Sequence, residues 1–150
     1  MLLGNVLKSV EKKYRKIPIK GISFDSRNVK KGNIFFAIKG TKISGTKFIK
    51  KAIDKGASIV VVDKEKNYKK QKIPILVVKD IRDKLSEACA NFYNKKPKKI
   101  IAVTGTNGKS SVADFFYQIL KINKISTASI GTLGILSEKY NKKTKLTSMD

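Results

Sequence analysis

The spacing of apolar positions changes several times along the chain, and each change predicts an element. Leu2, Leu3, Val6, Leu7 and Val10 recur at helical spacing and predict a short amphipathic helix. Residues 12–16 form a basic connector. Residues 19–24 read as a strand ending in Asp25-Ser26-Arg27, and 34–38 as a second strand after a turn over 28–32. A loop over 39–47 follows, with glycines at 40 and 45. Phe48, Ile49, Ala52 and Ile53 return to helical spacing, and Gly56 stands where helices commonly end. Residues 58–62 are a β-branched strand, and 73–78 another with Pro74 near its start. Ile81, Leu85, Ala88, Cys89 and Phe92 predict a further helix. Strand and helix alternate, so the fold class is α/β. Phe35 and Phe36 cannot face one side of a strand, yet both read as core.

The polar run Asn94-Lys95-Lys96-Pro97-Lys98-Lys99 separates this part from the next and marks a linker. The expected domains are therefore 1–96 and 97–150. The second opens on Ile100, Ile101, Ala102 and Val103, an apolar run that reads as a buried parallel strand. Thr104 to Ser110 is a glycine-containing turn. Val112, Phe115, Phe116, Ile119 and Leu120 then follow at helical spacing. Residues 125–130 read as a strand, 131–134 as a tight loop, and 135–146 as a hairpin across the polar 138–145 segment. This is the start of a doubly wound P-loop domain, and 97–150 is too short to close such a sheet. The expectation is the front of a longer protein, incompetent as an enzyme by itself.

Strand, glycine loop and helix are the context that a phosphate-binding loop requires. Gly105 and Gly108 let the backbone turn its N–H groups toward an anion, and the helix start adds its dipole. Lys109 would reach the outer phosphates, and the Ser110 hydroxyl would face Mg²⁺. The strict pattern is not met, because Val103 stands where its first glycine belongs.

Charge changes the picture less than its size suggests. Among 150 residues, 34 Lys+Arg against 11 Asp+Glu give a formal net charge of +23. Such a balance points to nucleic acid or an anionic surface. Here the charge is nearly all lysine, spread along the chain with no single basic block, so no specific nucleic-acid partner is expected. Lys66, Lys69, Lys70 and Lys72 read as a solvated loop. Histidine is absent and Cys89 is the single cysteine, which excludes an intrachain disulfide and argues against a zinc site. Cys89 itself reads as core. No apolar run is long enough for a signal peptide or a membrane span, and a reducing cytoplasm is the expected setting.

Several spaced motifs resemble the Mur ligases, ATP-dependent enzymes that add amino acids to UDP-N-acetylmuramoyl peptides. VTGTNGKSS at 103–111 is similar to that family's phosphate loop, which also lacks the first glycine. FDSR at 24–27, KGNIFFAIKG at 31–40 and the Phe-Ile, Ala-Ile, Gly-Ala skeleton of 45–57 resemble its amino-terminal uridine-nucleotide domain. IGTLG at 130–134 and TSMD at 147–150 look most like the members that add the third residue of the peptide. The resemblance implies ATP phosphates held by Gly105, Thr106, Asn107, Gly108, Lys109, Ser110 and Ser111, with Lys109 acting in catalysis and Ser110 on Mg²⁺. It implies UDP-sugar contacts from Phe24, Ser26, Thr41, Lys42, Ile43, Thr147 and Ser148. The sequence departs from the family at Ser44-Gly45-Thr46, where Asp-Gly-His is common, and at Met149, where proline is usual. The implied substrates are ATP, a UDP-N-acetylmuramoyl dipeptide and an amino acid, joined through an acyl phosphate by a monomer. The family's carbamylated lysine, Mg²⁺-binding glutamate and amino-acid domain would lie beyond Asp150.

Other readings stay open at this point. The chain could be another P-loop enzyme, such as a kinase or a folate-polyglutamate ligase, although 25–40 has no reason to exist in a plain kinase. It could be a basic nucleotide- or nucleic-acid-binding module, whose affinity would fall steeply with salt. Asp25-Ser26-Arg27 by itself reads as a polar strand end with an Asx-type turn. Thr147 and Ser148 could be tail residues.

Overall fold

The computed structural model describes residues 1–40, 44–63 and 71–143. Thr41, Lys42, Ile43, Thr147 and Ser148 lie outside the described residues, as does most of the lysine-rich loop. The chain divides into two compact units, Met1–Lys96 and Pro97–Asp150.

The first unit is built on a parallel sheet of four strands in the order β1-β2-β3-β4, with β1 Gly21–Ser23, β2 Asn33–Phe36, β3 Ile59–Val62 and β4 Ile75–Val77. Register pairs Ile22 with Ile34, Phe35 with Val60, and Val61 with Leu76. Strands β2 and β3 are buried along their whole length, as apolar runs in a parallel sheet covered on both faces must be.

The pleat divides the core. Phe36, Ile34, Ile59 and Val61 point to a cluster with Leu3, Val6, Leu7, Ile81 and Ala88. That layer is made by α1 (Leu3–Val6) and α3 (Ile81–Phe92), which pack on each other. Asn91 Nδ2 donates to Val6 O at 3.1 Å, and Lys8 N donates to Glu87 Oε1 at 2.8 Å. Phe35, Val60 and Val62 point the other way, to Ile49 and Ala52 of α2 (Ile49–Asp54). Phe35 and Phe36 are thus both core, on opposite faces. The first helix is shorter than its apolar spacing predicts. Only Leu3 and Val6 are helical, while Leu7 and Val10 are buried beyond its end and Leu2 is exposed. Cys89 is half-buried, and burial pushes its thiol up. Asp80 caps α3 by accepting from Arg82 N and Asp83 N at 2.9 and 3.0 Å.

The second unit corrects three expectations. Ile100 to Val103 form no strand, and Ile100 and Ile101 are exposed. A strand needs a hydrogen-bonded neighbour, and none of the described residues supplies one. The helix is present as α4 (Lys109–Ile122), but none of its residues is buried. The strand expected over 125–130 is β5 (Ala128–Gly131), paired antiparallel with β6 (Gly134–Ser137). The hairpin therefore turns at Thr132-Leu133, two residues between paired glycines. Of the hairpin expected across 138–145, the described residues show one bridge, between Ile135 and Lys142, and residues 144 and 145 lie outside them. Among the described residues no helix is long and apolar enough to cross a membrane.

Candidate functional site

The strands of the first unit are parallel, so the residues that follow them share one edge of the sheet. Phe24 and Ser26 follow β1 there. A shallow cleft of about 210 Å³ lies past the ends of β2, β3 and β4, lined by Ile38, Lys39, Asp63, Lys79, Asp80, Ile81 and Arg82. The carboxyl edge of a parallel sheet is where α/β proteins bind ligands, because its loops diverge to opposite faces.

The turn at this edge has a defined geometry. Asp25 Oδ1 accepts from Arg27 N at 2.8 Å, which closes an Asx turn. Arg27 Nε donates to both carboxylate oxygens at 3.0 Å, and Nη2 to Oδ2 at 2.7 Å. The Arg27 guanidinium holds the Asp25 carboxyl below its usual value. Phe24 is 46% exposed and Ser26 only 6%. Among the described residues the Ser26 hydroxyl has no hydrogen-bond partner. A buried hydroxyl without a partner is costly, and a ligand atom would satisfy it.

The second unit holds the loop residues together by themselves. Gly105 and Gly108 have φ of +147° and +74°, which L side chains adopt only under strain. Gly108 is the N-cap of α4 and offers no capping side chain, so the first N–H groups of the helix remain available to an anion. The space over Gly108 is open, with no atom within 4 Å of where a Cβ would stand. Thr106, Asn107, Ser110 and Ser111 are exposed, and Lys109 is half-buried. Lys109 Nζ donates to the loop's own carbonyl oxygens, to Gly105 O and, at 3.2 Å, to Thr106 O. The ammonium must leave those carbonyls to meet a phosphate. Ser110 Oγ donates to Thr132 Oγ1 at 3.4 Å.

These features suit a phosphate group. For Mg²⁺ the fit is narrower. Among the described residues no group of three His, Cys, Asp or Glu could hold a metal ion. Ser110 is the oxygen ligand this loop would give, beside phosphate oxygens and water.

Sequence reasoning missed the partners that these side chains take in the fold. Asp25 and Arg27 are joined by a two-residue spacing that signals an Asx turn, but not the bidentate pair. Thr132 is remote in sequence from Ser110, and no spacing announces it.

A profile of the Mur ligase family, described as its catalytic domain, matches residues 18–93. The chain is similar to the UDP-N-acetylmuramoyl-L-alanyl-D-glutamate--2,6-diaminopimelate ligase of Rickettsia conorii, at 49% identity over 117 residues, 78% of this chain and 24% of that protein. The ligase of the same name from Mesorhizobium japonicum is 40% identical over 134 residues, 89% of this chain and 28% of that protein. A solved structure of a UDP-N-acetylmuramoyl-L-alanyl-D-glutamate--2,6-diaminopimelate ligase matches with a TM-score of 0.77 at 25% identity, covering 100% of this chain and 31% of that one. The MurF ligase of Thermotoga maritima in complex with ADP matches with a TM-score of 0.55 at 25% identity, over 73% of this chain and 24% of that one. The chain spans about a quarter of the length of the curated relatives it matches. With the profile covering half of its residues, the chain belongs to the Mur ligase family.

Proposed function

We propose that the chain carries the uridine-nucleotide domain, 1–96, and the opening of the ATP-binding domain, 97–150, of a cytoplasmic amide ligase. The reaction would join a third amino acid, diaminopimelate or lysine, to UDP-N-acetylmuramoyl-L-alanyl-D-glutamate in peptidoglycan synthesis. The names of the relatives support the acceptor and the amino acid, and the ADP in the MurF complex supports the nucleotide. The observation that carries the reading is Ser26, a buried hydroxyl without a described partner at the carboxyl edge of a parallel sheet.

In this reading a terminal carboxylate oxygen of the UDP-linked dipeptide attacks the γ-phosphorus of ATP, and ADP leaves. The amine of the incoming amino acid then attacks the acyl carbon. Phosphate departs with the bonding pair, and the amine gives up a proton. Such chemistry rests on positioning and charge neutralisation. The amides of 105–110 would hold the phosphates, and Lys109 would offset charge on the transferring group. Mg²⁺ bound by Ser110 would neutralise phosphate charge. Phe24 and Ser26 would contact the uridine nucleotide, with Thr41, Lys42, Ile43, Thr147 and Ser148 completing the UDP-sugar contacts. The ligase would act as a monomer.

The test is an amide-resolved NMR titration of the 1–150 chain with UDP and, separately, with ATP. UDP should move the amides around Ser26, and ATP those of 105–111. Lys109→Ala should weaken ATP at least tenfold and leave UDP unchanged, since a charge-assisted contact is worth roughly 1.5–3 kcal/mol. ATP binding unchanged in that variant, or UDP and ADP moving the same amides equally, would remove the assignment.

A further inference from the structure

We propose that Asp25 is a positioning residue for the Ser26 hydroxyl, part of the uridine-nucleotide site without touching the ligand. The inference rests on the reading of Ser26 given above. Both peptide neighbours of Ser26 are held in place. On one side, Asp25 O accepts from Ser23 Oγ at 2.8 Å and from Asn28 N at 3.0 Å. On the other, Arg27 N donates to Asp25 Oδ1 at 2.8 Å, and Arg27 O accepts from Lys55 Nζ at 2.6 Å. Ser26 lies between these anchors, and its hydroxyl is kept from water with no described partner.

That arrangement runs against the ordinary behaviour of serine in a turn. A serine at a strand end turns its hydroxyl to water or bonds its own backbone. Here the local bonds are made instead by the Asp25 carboxylate, which takes the Arg27 amide that the turn offers. The carboxylate is itself fixed by the guanidinium, whose fork fits both of its oxygens. The Arg27 side chain is 79% exposed, and a pair so open to water adds little to folding. Its contribution should therefore appear in ligand affinity and not in the melting temperature.

The experiment measures UDP affinity by NMR titration of the 1–150 chain, with thermal melting alongside. Ser26→Ala should weaken UDP about fivefold, the loss of one hydrogen bond. Asp25→Ala should weaken it by a similar factor and move the Ser26 resonances of the free protein. The double variant should bind no more than about twofold worse than the weaker single one, because residues acting as a unit are not additive. Asp25→Asn keeps an oxygen for the Arg27 amide and should retain affinity within about twofold. Asp25→Glu keeps the charge but sets its oxygens one methylene too far for the turn, so it should bind like Asp25→Ala. It also serves if Asp25→Ala fails to fold. Wild-type affinity in Asp25→Ala or Asp25→Glu, or multiplied losses in the double variant, would overturn the positioning role while leaving Ser26 in place. Wild-type affinity in Ser26→Ala would instead overturn the reading of Ser26, and the positioning role with it.

Discussion

Helices α3 and α4 share an apolar spacing and are opposite in fate. Each carries apolar residues at helical spacing over three or more turns. The α3 helix has an aspartate cap, buries Ile81 and Ala88, and packs on α1. The α4 helix starts from an uncapped glycine and leaves Phe115 62% and Ile122 79% exposed. The same contrast holds for whole units. Among the described residues, all buried apolar side chains fall between Leu3 and Ala88. Periodicity states which face of a helix is apolar. It does not state that anything covers that face, and burial, not pattern, is what stabilises.

The sharpest way to break this comparison is to truncate one aromatic ring in each unit. Phe36→Ala should cost about 3–5 kcal/mol, since the ring is fully buried and leaves a cavity. Phe115→Ala should change stability by no more than about 0.5 kcal/mol, as exposed substitutions do. Urea unfolding of both variants decides it, and equal costs would mean that α4 is covered in solution.

A smaller effect is expected at the helix starts. Asp80→Ala should destabilise the first unit by about 1 kcal/mol, the usual value of an N-cap. Circular dichroism melts would register it, and an unchanged midpoint would show the cap to be redundant. The α4 helix has no capping side chain to remove.

The smallest effect is acid sensitivity. Lys84 Nζ sits 2.7 Å from Glu87 Oε2 and lowers the Glu87 carboxyl, as does the Lys8 amide. A carboxyl lowered on folding adds stability above its unfolded value, near pH 4, and loses it as pH falls through the folded value. Glu87→Gln should therefore flatten the fall in melting temperature of the first unit between about pH 5 and pH 3. An identical slope in wild type and variant would leave the pair without effect on folding.

The sheet of the first unit was legible because β2 and β3 are continuous apolar runs with glycine or polar punctuation. The expected end of β2 runs two residues past Phe36, because hydrophobic residues continue to Ile38, whereas β3 ends at Val62 as expected. Ile100 to Val103 meet the same criterion and fail, because a run of apolar residues carries no information about its neighbour. Gly131 and Gly134 fall in the loop that the sequence predicts, yet they are the last pair of a ladder closed by Thr132-Leu133. At the candidate site, residue type and order single out Gly105, Gly108 and Lys109 as a phosphate loop, whereas Ser26 is singled out only by the family resemblance. By sequence, an Asx turn and a ligand residue are competing readings of 25–27. The turn is present at Asp25, and the proposal gives the ligand role to Ser26, so the two are compatible. Contacts such as Ser110 with Thr132 join residues that no local pattern links.

The pleat of β2 has a consequence for how the chain can vary. Phe35 and Phe36 are adjacent in sequence but belong to separate packing problems, one answered by Ile49 and Ala52, the other by Leu3, Val6 and Ile81. Each can be resized with compensation on its own side only. Inserting one residue between them would hand every later side chain of the strand to the wrong layer, two mismatched interiors from a single added residue. Length changes are therefore confined to the connections, and β2 acts as the ruler against which the rest of the first unit is cut.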